Sequence, residues 1–476
     1  TICIKMDNYL AEQILKNLPF TPTQSQDSAI RSLAKYLFDR EPYSVFLLRG
    51  YAGTGKTQLI ASVVQTILEQ GADCELLAPT GRAAKVLTTY TRHQAYTIHR
   101  QIYQATAAGI EEGGAYRIRR SSGRSTVFIV DESSMIGNES VEPTPFGSGS
   151  LLNDLLAYVN ETDGCRLILA GDMAQLPPVG SMVSPALDAG VMETSYGLRI
   201  HECTLTEVVR QQKESAILSL ATSLRRLLSN GISEKIKLNI RDSGDVSAIS
   251  GTELIEALDA SFRTVGMDES IIVSYSNKRA LAYNLGIRSQ VLYYEEELVR
   301  GDRLVVTRNN YRYCDRRDKT DFVANGEIVE ILRLGKRYEL YGFRFADATI
   351  SLVEQGREIE ARLLLDGLTA ETAGLTHAQR QKLYDAVAED YSSTASIPAR
   401  RKAIKEDAFF SALEVKYAYA ITCHKAQGGQ WKHVYVDMGM LSYLPHDEQL
   451  CRWLYTAVTR ASERLFLVNT PKDMLP

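Results

Sequence analysis

Gly50-Tyr51-Ala52-Gly53-Thr54-Gly55-Lys56-Thr57 follows directly on an apolar run, Val45 to Leu48, and opens a helix-favouring stretch. This is the spacing GxxxxGK[ST] between strand and helix, the context that gives it a physical meaning. The glycines let successive backbone N–H groups turn inward, and the helix N-terminus adds favourable partial charge, so the loop can cradle phosphate. Lys56 reaches the outer phosphates, and the Thr57 hydroxyl is suited to Mg²⁺. Gly50, Ala52, Gly53, Thr54, Gly55, Lys56 and Thr57 are therefore the candidate nucleotide-binding residues.

Outward from this loop the chain has a rhythm. Short runs rich in Val, Ile and Leu (Val45 to Leu48, Glu75 to Ala78, Val127 to Val130, Arg166 to Ala170) alternate with longer helical patterns, and each ends at a loop loaded with Gly, Pro, Thr or Asp. That pattern predicts an α/β fold with a parallel sheet whose carboxyl edge binds the ligand. The rhythm returns at Ile271 to Ser274, His433 to Asp437 and Arg464 to Val468, predicting a second α/β unit.

The stretch between those halves alternates instead, from Gly301 to about Leu365, with turn residues at Asn325-Gly326 and Gly335-Lys336. It reads as a small β-barrel. Leu375 to Phe410 is polar and helix-favouring, split in two by Pro398. At 104–124, Glu111-Glu112-Gly113-Gly114 looks like a hairpin turn, with Tyr116 and four arginines after it.

A phosphate loop is common to kinases, GTPases and motors, so its partners decide the chemistry. Val127-Phe128-Ile129-Val130-Asp131-Glu132 is an apolar strand ending in two carboxylates, the first placed to hold Mg²⁺ and the second to polarise an attacking water. Gly171-Asp172-Met173-Ala174-Gln175-Leu176-Pro177-Pro178 follows the next strand and offers the Gln175 amide to a γ-phosphate or that water. A guanidinium is also needed against charge building on the transferred phosphoryl group. Arg210 and Arg460 are the candidates, and both lie outside the phosphate-loop half of the chain, which makes domain closure part of the reaction.

Composition narrows the class. In 476 residues, 45% hydrophobic and 24% charged, Gly 32 and Pro 13 are too few for a disordered or fibrous chain. Lys+Arg 54 against Asp+Glu 58 gives a net charge of -4, which excludes a uniformly basic wrapper of nucleic acid but permits a local basic groove. The seven cysteines are scattered without a CxxC pair, as in a reduced protein without a cysteine metal site. No apolar run has the length of a membrane span, and the N-terminus lacks a signal-peptide pattern.

By the order of its motifs, from Pro22 to Val468, the chain resembles superfamily 1 helicases of subfamily B, the RecD and Dda branch. Thr23-Gln24-Ser25-Gln26 with Ala29 looks like the Q motif, so the resemblance has Gln26 reading the adenine. Gly50 to Thr57 is like motif I, Ala78-Pro79-Thr80-Gly81-Arg82-Ala83-Ala84 like motif Ia, and Thr97-Ile98-His99-Arg100 like motif Ib. Asp131-Glu132 matches motif II, Gly171 to Pro178 motif III, and Val209-Arg210-Gln211 motif IV. Ser276-Asn277-Lys278 with Asn284 looks like a strand-end motif of the second domain. Ala420-Ile421-Thr422-Cys423-His424-Lys425-Ala426-Gln427-Gly428 resembles motif V and Leu454 to Ala461 motif VI. Cys423 stands where relatives often have Val, and Ala426 where many have Ser.

The resemblance implies two RecA-like P-loop NTPase domains, an inserted SH3-like barrel and a small pin. The expected boundaries are 1–205 for the first domain with the pin at 104–124, 206–298 with 412–476 for the second, and 299–411 for the barrel and its helical extension. ATP and Mg²⁺ are the implied cofactors, with Gly428 added to the nucleotide site. Single-stranded DNA and single/double-strand junctions are the implied partners, contacted through Pro79, Thr80, Arg82, Thr97, His99, Thr422, His424 and Lys425, with Tyr116 as a strand-separating wedge. A monomeric, cytoplasmic protein of bacterial or phage-like type follows, nucleoid-associated when on DNA and without membrane association. The expected activity is 5′ to 3′ translocation coupled to unwinding. A DNA-dependent ATPase that remodels protein–DNA complexes and an RNA helicase remain as alternatives, because backbone-reading motifs do not specify the sugar.

Overall fold

The computed structural model describes residues 2–38, 41–105, 116–120, 123–139, 146–208, 215–232, 234–240, 244–310, 312–313, 323–353, 356–394 and 396–475. The first sheet is built from β1 (Ser44–Gly50), β2 (Asp73–Ala78) and β3 (Ala95–Thr97), followed after a hairpin, β4 (Tyr103–Ala105) and β5 (Tyr116–Ile118), by β6 (Thr126–Val130), β7 (Arg166–Gly171) and β8 (Arg199–Leu205). The spatial order is β3-β2-β6-β7-β1-β8, all parallel. Phe46, Leu47, Ile129, Ile168 and Leu169 are buried, which is why these strands read as continuous apolar runs rather than alternating ones. Because β6, β7 and β1 are neighbours, the loops after Val130, Gly171 and Gly50 leave one edge side by side.

The hairpin pairs Tyr103 with Ile118 and Ala105 with Tyr116 in antiparallel register. Its expected turn, Glu111 to Gly114, lies outside the described residues, as does Arg210.

The second sheet begins with β9 (Val246–Ile249) and β10 (Ser270–Ser274). The chain then leaves for the barrel: β11 (Arg303–Val306), β12 (Ile328–Leu340), β13 (Phe343–Leu352), β14 (Arg357–Leu364) and β15 (Leu413–Tyr417). It returns for β16 (Ala420–Thr422), β17 (Trp431–Asp437) and β18 (Ala461–Val468), giving the parallel order β16-β10-β17-β18-β9.

The barrel draws its closing strand from just past the helical insertion, since β15 pairs antiparallel with β11 and parallel with β14. Its main hairpin also differs from the sequence expectation. Gly335-Lys336 is no turn but lies inside β12, at a register shift between Leu334 and Arg337. The chain reverses at Tyr341 and Gly342, with φ of 58° and 75°, the positive pair that matches the twist of a two-residue hairpin. The insertion forms two helices as the sequence predicts. His377–Asp390 is opened by a Thr376/Gln379 capping box, and Ile397–Glu406 carries Pro398 in its first turn, where a missing N–H costs nothing.

A buried ion pair ties this barrel to the second lobe. Arg288, on the helix Asn277–Gln290, donates to both oxygens of Asp302 at 2.8 and 2.9 Å, and Asp302 is fully buried. Tyr419 Oη and the Val299 N–H complete the carboxylate at 3.0 and 2.8 Å. No helix among the described residues is long and apolar enough to cross a membrane. Cys74, Cys165, Cys203, Cys423 and Cys451 are free thiols.

Candidate functional site

The phosphate loop leaves β1 and enters the helix Lys56–Glu69 through Gly53 and Gly55, whose φ of 74° and 75° a side chain would strain. Lys56 Nζ reaches back to the Gly50 carbonyl at 3.5 Å. Gln26 is fully buried and holds the loop from behind. Its amide nitrogen donates to the Thr54 carbonyl at 2.8 Å, and its oxygen accepts the Thr23 N–H at 2.9 Å. In this conformation Gln26 braces the loop, so both ends of the amide are engaged with the protein rather than presented to a base.

Asp131, at the end of β6, is buried beside Thr57 and accepts the Glu132 N–H at 2.8 Å. Burial pushes its carboxyl up to about 6, against the pull of Lys56. A hydroxyl and a neighbouring buried carboxylate, beside a lysine and a phosphate cradle, are the donors Mg²⁺ takes when the rest of its shell is phosphate and water. These residues fit that ion. Glu132 sits at a positive φ of 53°, with Oε2 buried and without a partner. Gln175, on the turn after β7, is also buried with its side-chain oxygen unpartnered. Two orphaned oxygens in one cleft, each costing about 1–3 kcal/mol, are unusual in a finished core and expected where a ligand completes them.

The second lobe closes this cleft. Tyr455 and Thr456, on the helix Glu448–Val458, bond Asp172 and the Leu176 N–H at 2.6 and 2.9 Å. Gln427 Nε2 donates to the Leu176 carbonyl at 2.7 Å, and Arg225 lies over the Tyr51 ring at 4.4 Å. Sequence reasoning missed Tyr455, Thr456 and Gln427, although each stands inside a quoted motif. The signal was their uncharged donor groups at positions whose neighbours Lys425 and Arg460 drew attention. Arg460 is buried and turned into its own lobe, donating to the Thr456 and Gly429 carbonyls at 3.0 Å each. Reaching a phosphate therefore requires it to exchange those bonds.

A groove of about 570 Å³ runs between the first sheet, the barrel and the second lobe. Thr80, Arg82, Thr97 and Lys425 line it, together with Lys85, Arg100, Tyr96, Asn325, Arg357 and Gln427. Thr80 and Thr97 cap the helices Gly81–Thr91 and Ile98–Ile102 by accepting the Ala83 and Arg100 N–H groups, each at 3.2 Å, so they hold the loops as well as facing the groove. Arg82 stacks on Trp431 at 4.0 Å and donates to the Gln430 carbonyl at 2.6 Å, bridging the lobes.

Pro79, His99, Thr422 and His424 are not among the lining residues. His99, half-buried, packs edge-on to Phe146 at 4.9 Å and against Tyr103, and burial pushes its imidazole down to about 4, so it is a neutral ring at pH 7. Gly428, expected beside the nucleotide, instead packs against Thr80 and Ala83, where a Cβ would stand 3.1 and 3.0 Å from their side chains. Tyr116 stands on the hairpin stem with its ring 4.9 Å from Phe146, packed into an aromatic cluster rather than presented as a wedge.

Residues 22–238 match the family model of an AAA domain, and residues 417–468 that of a UvrD-like helicase C-terminal domain. The chain is 25% identical over 461 residues to the ATP-dependent RecD2 DNA helicase of Deinococcus radiodurans, covering 94% of this chain and 50% of that protein, so it spans about half that relative's length. It is 23% identical over 476 residues to the ATP-dependent DNA helicase dda of Enterobacteria phage T4, covering 94% of this chain and 99% of that one. A solved structure of two coordinating Pif1 helicases on forked double-stranded DNA aligns over 96% of this chain and 94% of that chain, with a TM-score of 0.48 and 15% identity.

Proposed function

We propose that the chain is a superfamily 1 helicase of the RecD and Dda branch, which hydrolyses ATP to step along single-stranded DNA, 5′ to 3′, and open duplex ahead of it. The observation that carries this reading is one cleft holding Lys56, Thr57, Asp131, Glu132 and Gln175, with two buried oxygens unpartnered, closed by the lobe whose motif also lines a cationic groove.

The chemistry follows from those groups. Lys56 and the free amides of the phosphate loop bind the β and γ phosphates and stabilise the charge they gain in the loose transition state. Thr57 and Asp131 would hold Mg²⁺, which supplies charge neutralisation between those phosphates. Glu132 accepts a proton from the attacking water through its unpartnered oxygen. Gln175 orients that water or the γ-phosphate. Arg460, released from the Thr456 and Gly429 carbonyls, or Arg210, supplies the guanidinium. The groove holds the strand by its phosphates and reads no sequence, so the protein works as a general motor on DNA, as a monomer, in the compartment where that DNA lies.

Unwinding assays on matched duplexes with a 5′ or a 3′ single-stranded tail test the reading. Opening of the 5′-tailed duplex with ATP and Mg²⁺ is expected. Opening of the 3′-tailed substrate alone would reverse the polarity, and DNA-stimulated hydrolysis without any unwinding would favour a remodelling translocase.

A further inference from the structure

One side chain of the second lobe reaches the phosphate loop without carrying a charge. Tyr455 is 1% exposed, and its hydroxyl donates to Oδ2 of Asp172 at 2.6 Å while accepting the Ala52 N–H at 2.9 Å. The other oxygen of Asp172 accepts the Ala174 N–H at 2.9 Å, and the Asp172 carbonyl accepts the Gln175 N–H at 3.3 Å. These bonds shape the turn that presents Gln175. A phenol hydroxyl can donate and accept at once, whereas a phenylalanine fills the same space and does neither.

The four bonds form one line, from the phosphate loop through Tyr455 to the turn carrying Gln175, and the tyrosine in it belongs to the opposite lobe. Asp172 is buried in the same charge cluster as Lys56 and Glu132. If Tyr455 withdrew, a buried carboxylate and a phosphate-loop amide would lose their partner together, a cost that couples lobe position to the geometry of the cleft.

We propose that Tyr455 is a positioning residue for ATP hydrolysis, its hydroxyl fixing the Gln175 turn to the phosphate loop so that Gln175 is aligned only when the second lobe is seated. This rests on reading the cleft as an ATPase site. The hydroxyl need not touch ATP. Its effect is on alignment in the transition state, so it acts on kcat more than on ground-state binding.

The test is steady-state ATP hydrolysis by the full chain with a saturating single-stranded oligonucleotide, comparing wild type, Tyr455→Phe, Asp172→Asn and the double variant. Tyr455→Phe is expected to lower kcat about tenfold or more while KM for ATP moves less than about threefold. Because both residues serve one line of bonds, the double variant is expected to lose much less than the product of the single losses. A Tyr455→Phe kcat within about twofold of wild type, or multiplicative losses in the double variant, would overturn the proposal. Asp172→Asn keeps the tyrosine and gives an independent reading should Tyr455→Phe fold poorly: wild-type turnover in Asp172→Asn also overturns it. Wild-type protein that shows no DNA-stimulated hydrolysis would instead sink the ATPase reading itself, so the two failures are distinguishable.

Discussion

Gln427 donates its side-chain amide to the backbone carbonyl of Leu176 at 2.7 Å, across 251 residues of sequence and across the boundary between the lobes. Leu176 follows Gln175 directly, and Gln427 also lines the cationic groove, so the groove and the catalytic turn are joined by one hydrogen bond. Gln427→Leu leaves a buried carbonyl short of its donor, a cost of about 1–3 kcal/mol placed on the link itself. Stimulation of ATP hydrolysis by single-stranded DNA is expected to fall about tenfold, read as the ratio of rates with and without oligonucleotide. An unchanged ratio would break the link.

Glu132→Gln keeps the shape of the side chain and removes its basicity. Hydrolysis is expected to fall by at least about 10², the lower range for a positioned base, while binding of a fluorescent ATP analogue persists. Turnover close to wild type would assign the water to another group.

Burial pushes the Lys425 ammonium down to about 8. The sign is that of a depressed amine: the cation is present below that pH and lost as pH rises through it. Affinity for single-stranded DNA is expected to drop between about pH 7 and 9, and Lys425→Arg, which stays protonated, to flatten the drop. Fluorescence anisotropy across that range decides it, and a level wild-type profile would contradict the assignment.

Arg82, Lys85, Arg100, Arg357 and Lys425 all face the groove. Five phosphate contacts on a single strand predict a slope of about −3.5 for log K against log salt, and Lys85→Ala should make it shallower by about 0.7. A slope near zero would mean that the strand does not lie there.

Arg288→Met strands the fully buried Asp302 carboxylate between barrel and second lobe. Removing one partner of a buried pair costs about 3–5 kcal/mol, so the urea midpoint of unfolding should fall markedly. A midpoint equal to wild type would show that Tyr419 and the Val299 amide satisfy Asp302 alone.

Local signals were legible and distant pairings were not. The phosphate loop, the Asp131-Glu132 strand end and the Gln175 turn each follow an apolar run within a few residues, so spacing alone placed them on one sheet edge. The barrel's closing strand, Leu413–Tyr417, is buried throughout, which hides the alternation of a barrel strand, and its partners lie far away in sequence. Gly335-Lys336 looked like a turn because a bulge and a turn both favour glycine. The resemblance implies that His99 contacts phosphate and that Tyr116 wedges against the terminal base pair. Both rings pack instead on Phe146, a partner that no local pattern connects to either.

The detour through the barrel sets an order of assembly. The first lobe has all its strands once Leu205 is made, whereas β9 at the edge of the second sheet can pair only with β18, which ends at Val468. Strands that must wait for partners so distant close late, after the entropy of a long loop has been met. On the ribosome the edge of the second sheet is therefore held open until Val468 has emerged, after the barrel has all its strands at Tyr417. A nascent chain stalled before Ala461 would carry a finished phosphate loop beside an unpaired sheet edge, a species for chaperones and proteases rather than an idle motor.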